Sequence, residues 1–89
     1  MQITNRSNRA ISISVNKWGK RGDTDWSRLA PGQSDYWDRT DERGFVMGVS
    51  KNGETNSYFI FANSSVFIYE DYIEDFGRKI KPATDRYIS

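Results

Sequence analysis

The sequence contains no cysteine and no histidine. Without cysteine, neither a disulfide nor a thiolate metal site can form. Without histidine, the commonest zinc ligand is missing, and so are the Ser-His-Asp and Cys-His triads. The one side chain that ordinarily titrates between about pH 5 and 8 is missing as well. Leucine occurs once, at Leu29, and proline twice, at Pro31 and Pro82. No apolar run approaches the roughly 20 residues of a membrane-spanning helix. Met1-Gln2-Ile3-Thr4-Asn5 leads straight into strand-like sequence with no apolar leader. The lack of cysteine agrees with a reducing compartment. The expected location is therefore cytoplasmic, or outside the cell after release without a signal peptide.

Aromatic residues are plentiful. They make up 15% of the 89 residues, against 36% hydrophobic in all. With so little leucine, these rings must supply much of the burial. A chain of this length buries roughly 60–65% of its unfolded surface, enough for one thin core. Charged residues make up 28% and the net charge is +1, too balanced to point to a nucleic-acid partner. The distribution is uneven. Residues 1–28 carry a net +4, residues 29–76 a net −6, and residues 77–89 a net +3. Terminal strands lying beside central ones would offset these charges within the fold; head-to-tail association of copies would offset them between molecules. Arg6, Arg9, Lys17, Trp18, Lys20 and Arg21 resemble a base-stacking groove, but the acidic middle interrupts any long positive track.

Hydropathy alternates with a period of two through most of the chain. Ile11, Ile13 and Val15 alternate with Ser12, Ser14 and Asn16, as in a half-buried strand. Ile3 and Asn5 mark a short first strand, and residues 2–6 and 10–18 suggest a hairpin turning at Asn8-Arg9. Gly19 to Asp25 is a polar loop, and Trp26 to Leu29 an extended run. Ala30-Pro31-Gly32-Gln33 is a strong turn. Ser34 to Arg39 reads as a strand. Phe45, Met47 and Val49 begin another, and Asn52-Gly53 should join residues 44–51 to 55–62 as a hairpin. Tyr58-Phe59-Ile60-Phe61 is apolar on both faces, as a central strand would be. Val66 to Tyr69 is a further β-rich run. Residues 70–76 are ambiguous: one helical turn, which Gly77 would stop, is possible, but it would stack like charges at i and i+4, and an extended or irregular form spreads them better. Ile80 belongs to a last short strand.

These signals give an all-β fold, a single small antiparallel β-sandwich or barrel of six to seven strands. The domain should span residues 1–82, with residues 83–89 as a flexible tail.

Ile3-x-Asn5-x-Ser7, the strand Ile11-x-Ile13-x-Val15, then Trp26, Leu29-x-Pro31-Gly32, Ser34, Trp37 and Arg43-Gly44 form a wider pattern. Over residues 1–50 it resembles small fungal β-sandwich proteins, and more distantly it is similar to the actinoporin-like and aegerolysin-like lectins and cytolysins. The resemblance implies a non-catalytic β-sandwich that recognises a glycan or a lipid headgroup. The family's cytolysins are longer and breach membranes with an N-terminal amphipathic segment or a protein partner; no amphipathic helix precedes Ile3, so pore formation by this chain alone is not implied.

Trp18, Trp26 and Trp37 fall within one third of the chain. Sugar rings present C–H faces that stack on an indole, and nearby carboxylates and amides bind the hydroxyls. Trp18, Asp23, Asp25, Trp26, Tyr36 and Trp37 are accordingly the expected ligand-binding residues. An indole with a wet N–H and basic neighbours also suits a membrane interface. Against this, a core short of aliphatic residues needs a tryptophan, and Trp26 or Trp37 is the candidate for that role. Asp23 and Asp25 have alternate spacing, but two side chains fall short of the six to eight oxygens of a calcium site. No metal or other cofactor is expected. Arg21-Gly22-Asp23 is read as a chance triplet.

Glu70, Asp71, Glu74 and Asp75 read as a solvated acidic edge that resists aggregation, or alternatively as a docking surface for the basic ends of a neighbouring copy. Paired carboxylates among Asp35, Asp38, Asp41 and Glu42 could in principle serve acid–base chemistry. Each sits in polar sequence, and so small a chain has little room for a cleft. The functional expectation is a lectin-like binding module and not an enzyme, with weak single sites reinforced by a homo-oligomer. The alternative is a self-associating structural protein.

Overall fold

The computed structural model describes residues 1–16, 26–38 and 40–83. They form nine strands: β1 (Gln2–Asn5), β2 (Ile11–Val15), β3 (Ser27–Leu29), β4 (Ser34–Tyr36), β5 (Phe45–Lys51), β6 (Glu54–Ile60), β7 (Ser65–Ile68), β8 (Ile73–Asp75) and β9 (Arg78–Ile80). One sheet has the order β4-β1-β7-β8-β9, the other β3-β2-β5-β6. Their inner faces share one core. Ile3, Val66, Ile68 and Ile73 come from the first sheet. Ile11, Ile13, Val15, Leu29, Phe45, Met47, Val49 and Ile60 come from the second. The fold is a small β-sandwich. No helix among the described residues is long and apolar enough to cross a membrane.

The strands form where alternation is cleanest. In β2, Ile11, Ile13 and Val15 are all buried and Ser12 and Ser14 face outward, because successive side chains point to opposite sides of a sheet. Phe45, Met47 and Val49 repeat the pattern in β5. The β5–β6 hairpin turns at Asn52 (φ 53°) and Gly53 (φ 80°), the two left-handed positions that a type I′ turn requires. Lys51 pairs with Glu54, and the register runs unbroken to Phe45 and Ile60.

The described residues form nine strands where six to seven were expected, and β1 with β7 is a parallel pair in an otherwise antiparallel fold. Three further sequence readings are settled or corrected. First, β1 and β2 do not pair. The segment between them crosses from one sheet to the other, and β1 instead runs parallel to β7 and antiparallel to β4. Asn5 makes the crossing. It is fully buried, and its Nδ2 donates to the carbonyls of Arg9 at 2.7 Å and Leu29 at 3.0 Å. Its Oδ1 accepts from Ser7 N at 2.9 Å and Ser7 Oγ at 2.6 Å. Both donors and both lone pairs are thus used. The Pro31-Gly32 turn docks on the same residue: Asn5 N donates to Gln33 O, and Gly32 N donates to Asn5 O.

Second, the ambiguous acidic run takes the extended form and not the helical turn, with residues 73–75 forming strand β8. Like charges at i and i+4 would have stacked in a helix. In the extended form Glu70 and Asp71 are exposed and Asp75 is buried. Glu70 Oε1 accepts from Asn8 N at 2.6 Å, and Asp75 Oδ2 accepts from Ser64 Oγ at 2.8 Å. The four acids therefore do not form one solvated edge. Third, β6 is not central. It lies at the edge of its sheet, next to β5 alone. Of the expected tail, residues 84–89 lie outside the described residues.

Candidate functional site

The two outer faces are finished differently. On the five-stranded sheet, cations lie over the rings. The Arg6 guanidinium sits 5.0 Å from the Phe67 ring centre, and Lys79 Nζ sits 4.6 Å from that of Tyr72. Tyr69 stacks on Tyr72 at 4.8 Å. The four-stranded sheet turns apolar side chains outward. Trp26 (51%), Phe59 (49%), Phe61 (45%) and Val46 (42%) are all exposed there.

The pairing register builds this second face. Ser14 lies beside Gly48, and Gly48 beside Ser57. One row across three strands is thus floored with small residues. The next row sets Val46 beside Phe59, and Phe61 meets Phe59 edge-on at 5.2 Å. Asn16 closes the end, its Oδ1 accepting from Val46 N at 2.7 Å. Trp26 precedes β3 and lays its ring across the small row. A Cβ on Gly48 would come within 3.0 Å of Trp26 Cη2 and 2.7 Å of Ser14 Oγ. The result is an open depression of about 240 Å3, lined by Ser14, Asn16, Trp26, Val46, Gly48, Thr55 and Ser57. Small-molecule pockets usually occupy roughly 300–1,000 Å3, so this one is shallow. One wall is an indole and a valine; the floor and far side offer hydroxyls and an amide.

The expected site residues separate. Trp26 lines this depression. Tyr36 is exposed at the edge strand β4 of the other sheet. There it lines a second, larger open hollow of about 380 Å3 with Gln2, Asn63 and Ser65. Trp37 is 9% exposed and belongs to the core, held by two backbone hydrogen bonds with Met1 at 2.9 Å. Of the two indoles that could have filled the core, Trp37 does so, and it therefore cannot present its ring to a ligand. Trp18, Asp23 and Asp25 lie outside the described residues, as does the Arg21-Gly22-Asp23 triplet.

Ser14, Asn16, Val46, Gly48, Thr55 and Ser57 line the depression and were missed by sequence reasoning, as were Phe59 and Phe61, exposed beside it on the same face. The signal was the apolar outward side of β6, which suggested a central strand. The small outward residues Ser12, Ser14, Gly48 and Ser57 would have completed it.

Among the carboxylates, Asp35, Asp38 and Glu42 are exposed. Asp41 is engaged by Arg43, whose Nη2 reaches Oδ2 at 2.6 Å and whose backbone N donates to Oδ1 at 2.8 Å. These bonds hold the Asp41 carboxyl at a pKa of about 2. No group of three or more potential ligand side chains among the described residues could hold a metal ion. The chain matches no family model, no curated protein and no solved structure.

Proposed function

We propose that the protein is a non-catalytic, lectin-like module that binds a glycan on the outer face of its four-stranded sheet. One observation carries this reading: an exposed indole packs against a glycine, beside a floor of hydroxyls and an amide. A pyranose can rest its C–H face on Trp26 while Ser14, Asn16, Thr55 and Ser57 offer hydrogen-bond partners to its hydroxyls. Stacking supplies contact area, and the polar rim orients the sugar. A membrane headgroup bearing hydroxyls, such as an inositol or a glycosyl lipid, presents the same chemistry.

The resemblance of residues 1–50 to small fungal β-sandwich proteins and the wider lectin group belongs to this reading. So does a cytoplasmic or leaderless extracellular location. A depression this shallow binds weakly, and a homo-oligomer would supply avidity by presenting several copies at once.

A glycan array, followed by tryptophan-fluorescence titration of the responding sugars, tests the proposal. A saturable change is expected, and it should be lost in Trp26→Ala. Liposomes with and without glycolipid distinguish a membrane source from a free glycan. A flat response to every sugar and every vesicle overturns the reading.

A further inference from the structure

The edge strand β6 is unlike the other three edges. β9 has three residues, of which Arg78 and Lys79 are charged. β4 has three with Asp35 at its centre, and β3 has three with Arg28 at its centre. Self-pairing of these short edges would set like charges near one another, which is unfavourable. β6 is seven residues long, and its only charge is Glu54, at the hairpin end. It contains no proline, and its register with β5 shows no bulge. The usual devices that protect an edge are therefore missing.

The register also fixes which backbone groups are free. Lys51 and Glu54 flank a two-residue turn and form a hydrogen-bonded pair. Bonded pairs then recur at every second position, through Asn56, Tyr58 and Ile60. The N–H and C=O groups of Thr55, Ser57 and Phe59 point away from β5, and no other described strand pairs with them.

We infer that β6 is a homodimer interface, pairing antiparallel with β6 of a second copy about a two-fold axis at Ser57. With Ser57 opposite its own counterpart, Thr55 falls opposite Phe59 and Glu54 opposite Ile60. Every outward N–H and C=O of the three residues then finds a partner, and no two like charges meet. Phe59 packs against the threonine of the other copy, a favourable cross-strand pair. The four-stranded sheets merge into one continuous sheet. Because the axis stands perpendicular to that sheet, both Trp26 platforms lie on the same side of the dimer. The inference specifies the oligomer in the reading above. The pairing itself holds whether or not the ligand is a sugar.

The chain has no native cysteine, so Ser57→Cys introduces the only thiol. Residues in a bonded antiparallel pair have Cα atoms about 5.5 Å apart, within the span of a disulfide. Mild oxidation should convert Ser57→Cys into a covalent dimer and leave Ser50→Cys, in the middle of the sheet, uncrosslinked. Sedimentation velocity of the wild type over a concentration series, without sugar, should reach twice the monomer mass. Ser57→Pro removes only an outward N–H and should stay monomeric with an unchanged β-sheet circular dichroism spectrum. Where proline impairs folding, Ser57→Lys sets two ammonium groups face to face and should give the same monomer. Trp26→Ala should lose the sugar response yet keep the doubled mass, which separates this result from the glycan reading. A wild type that is monomeric throughout overturns the interface. So does a dimer that persists in both Ser57→Pro and Ser57→Lys.

Discussion

The Trp26 ring lies over Gly48 so closely that a Cβ there would stand 3.0 Å from Cη2. This position is glycine for packing reasons, since its backbone is ordinary extended strand. Gly48→Ala should therefore shift the indole and the Ser14 hydroxyl without breaking the sheet. Alanine in a strand gains roughly 0.5–1 kcal/mol over glycine in backbone entropy, which offsets much of the crowding. Stability should change by less than about 1 kcal/mol. Tryptophan emission should move, and glycan affinity should fall severalfold. Equal affinity in Gly48→Ala and wild type would show that the ring's seat over β5 does not matter for binding.

Gly44 gives the opposite balance. Its φ is 88°, and an added Cβ would meet Phe59 Cζ at 2.5 Å and the Ile60 carbonyl at 3.0 Å. The ring can move aside, but the backbone carbonyl is fixed in the β5–β6 ladder. Gly44→Ala should cost on the order of 1–3 kcal/mol through left-handed strain and this contact. The expected result is a drop in Tm of several degrees, since about 4–8 °C accompanies each kcal/mol in a domain of this size. An unchanged Tm would mean that the turn before β5 rearranges freely.

Local sequence rules specified the strands well and their neighbours poorly. Asn52-Gly53 set a hairpin and its register, because both residues accept positive φ. The Ile11-Ile13-Val15 alternation showed which side of β2 is buried. Alternation assigns a face, however, and not a sheet, so it could not show that β1 and β2 part company at Asn5. That crossing depends on one amide reaching the carbonyl of Leu29, 24 residues away, a contact with no local signature. Trp26 and Trp37 are the same residue type in similar sequence. Only the completed fold sends one to the core and the other to the surface. The apolar outward side of β6 was visible from the start; its place at an edge was not.

Asn5 makes the sheet crossing testable. Asn5→Asp keeps the size but turns two donors into acceptors facing the carbonyls of Arg9 and Leu29. Losing the two amide donors costs roughly 1–3 kcal/mol, since Ser7 Oγ still lies 3.0 Å from the Arg9 carbonyl, and this is a large share of the stability of any small domain. Asn5→Leu also removes these donors, together with the acceptor of Ser7 N, but brings no charge and should be less harmful. Urea midpoints should rank wild type above Asn5→Leu and Asn5→Leu above Asn5→Asp. Near-equal midpoints for all three would remove Asn5 from its bridging role.

The Phe76-Gly77 turn between β8 and β9 predicts a gain. Phe76 has φ 54° and is 55% exposed. Left-handed backbone costs a residue with a Cβ roughly 1–2 kcal/mol, and this ring recovers little of that by burial. Phe76→Asn places the preferred residue ahead of glycine in a type I′ turn. Thermal unfolding should shift upward by several degrees, equivalent to about 1 kcal/mol. A lower Tm would reveal that the ring contributes packing beyond its exposure.

The Asp41–Arg43 pair predicts how the turn before β5 responds to acid. The Arg43 side chain, and then its backbone N–H, lower the Asp41 carboxyl from 3.8 to about 2. A carboxyl with a depressed folded pKa favours folding above its unfolded value. That contribution fades as pH falls from about 3.8 towards about 2. Both groups contact solvent, so the global effect is small, and the sensitive readout is local. Carbon-detected NMR titration should place the Asp41 midpoint near 2, with the Gly44 amide shifting in step. In Arg43→Ala the midpoint should return to about 3.8. Raised salt should move it only part of the way, because direct hydrogen bonds outweigh the long-range Coulomb attraction in the shift. If the midpoint stays near 2 without the guanidinium, the depression has a source other than Arg43.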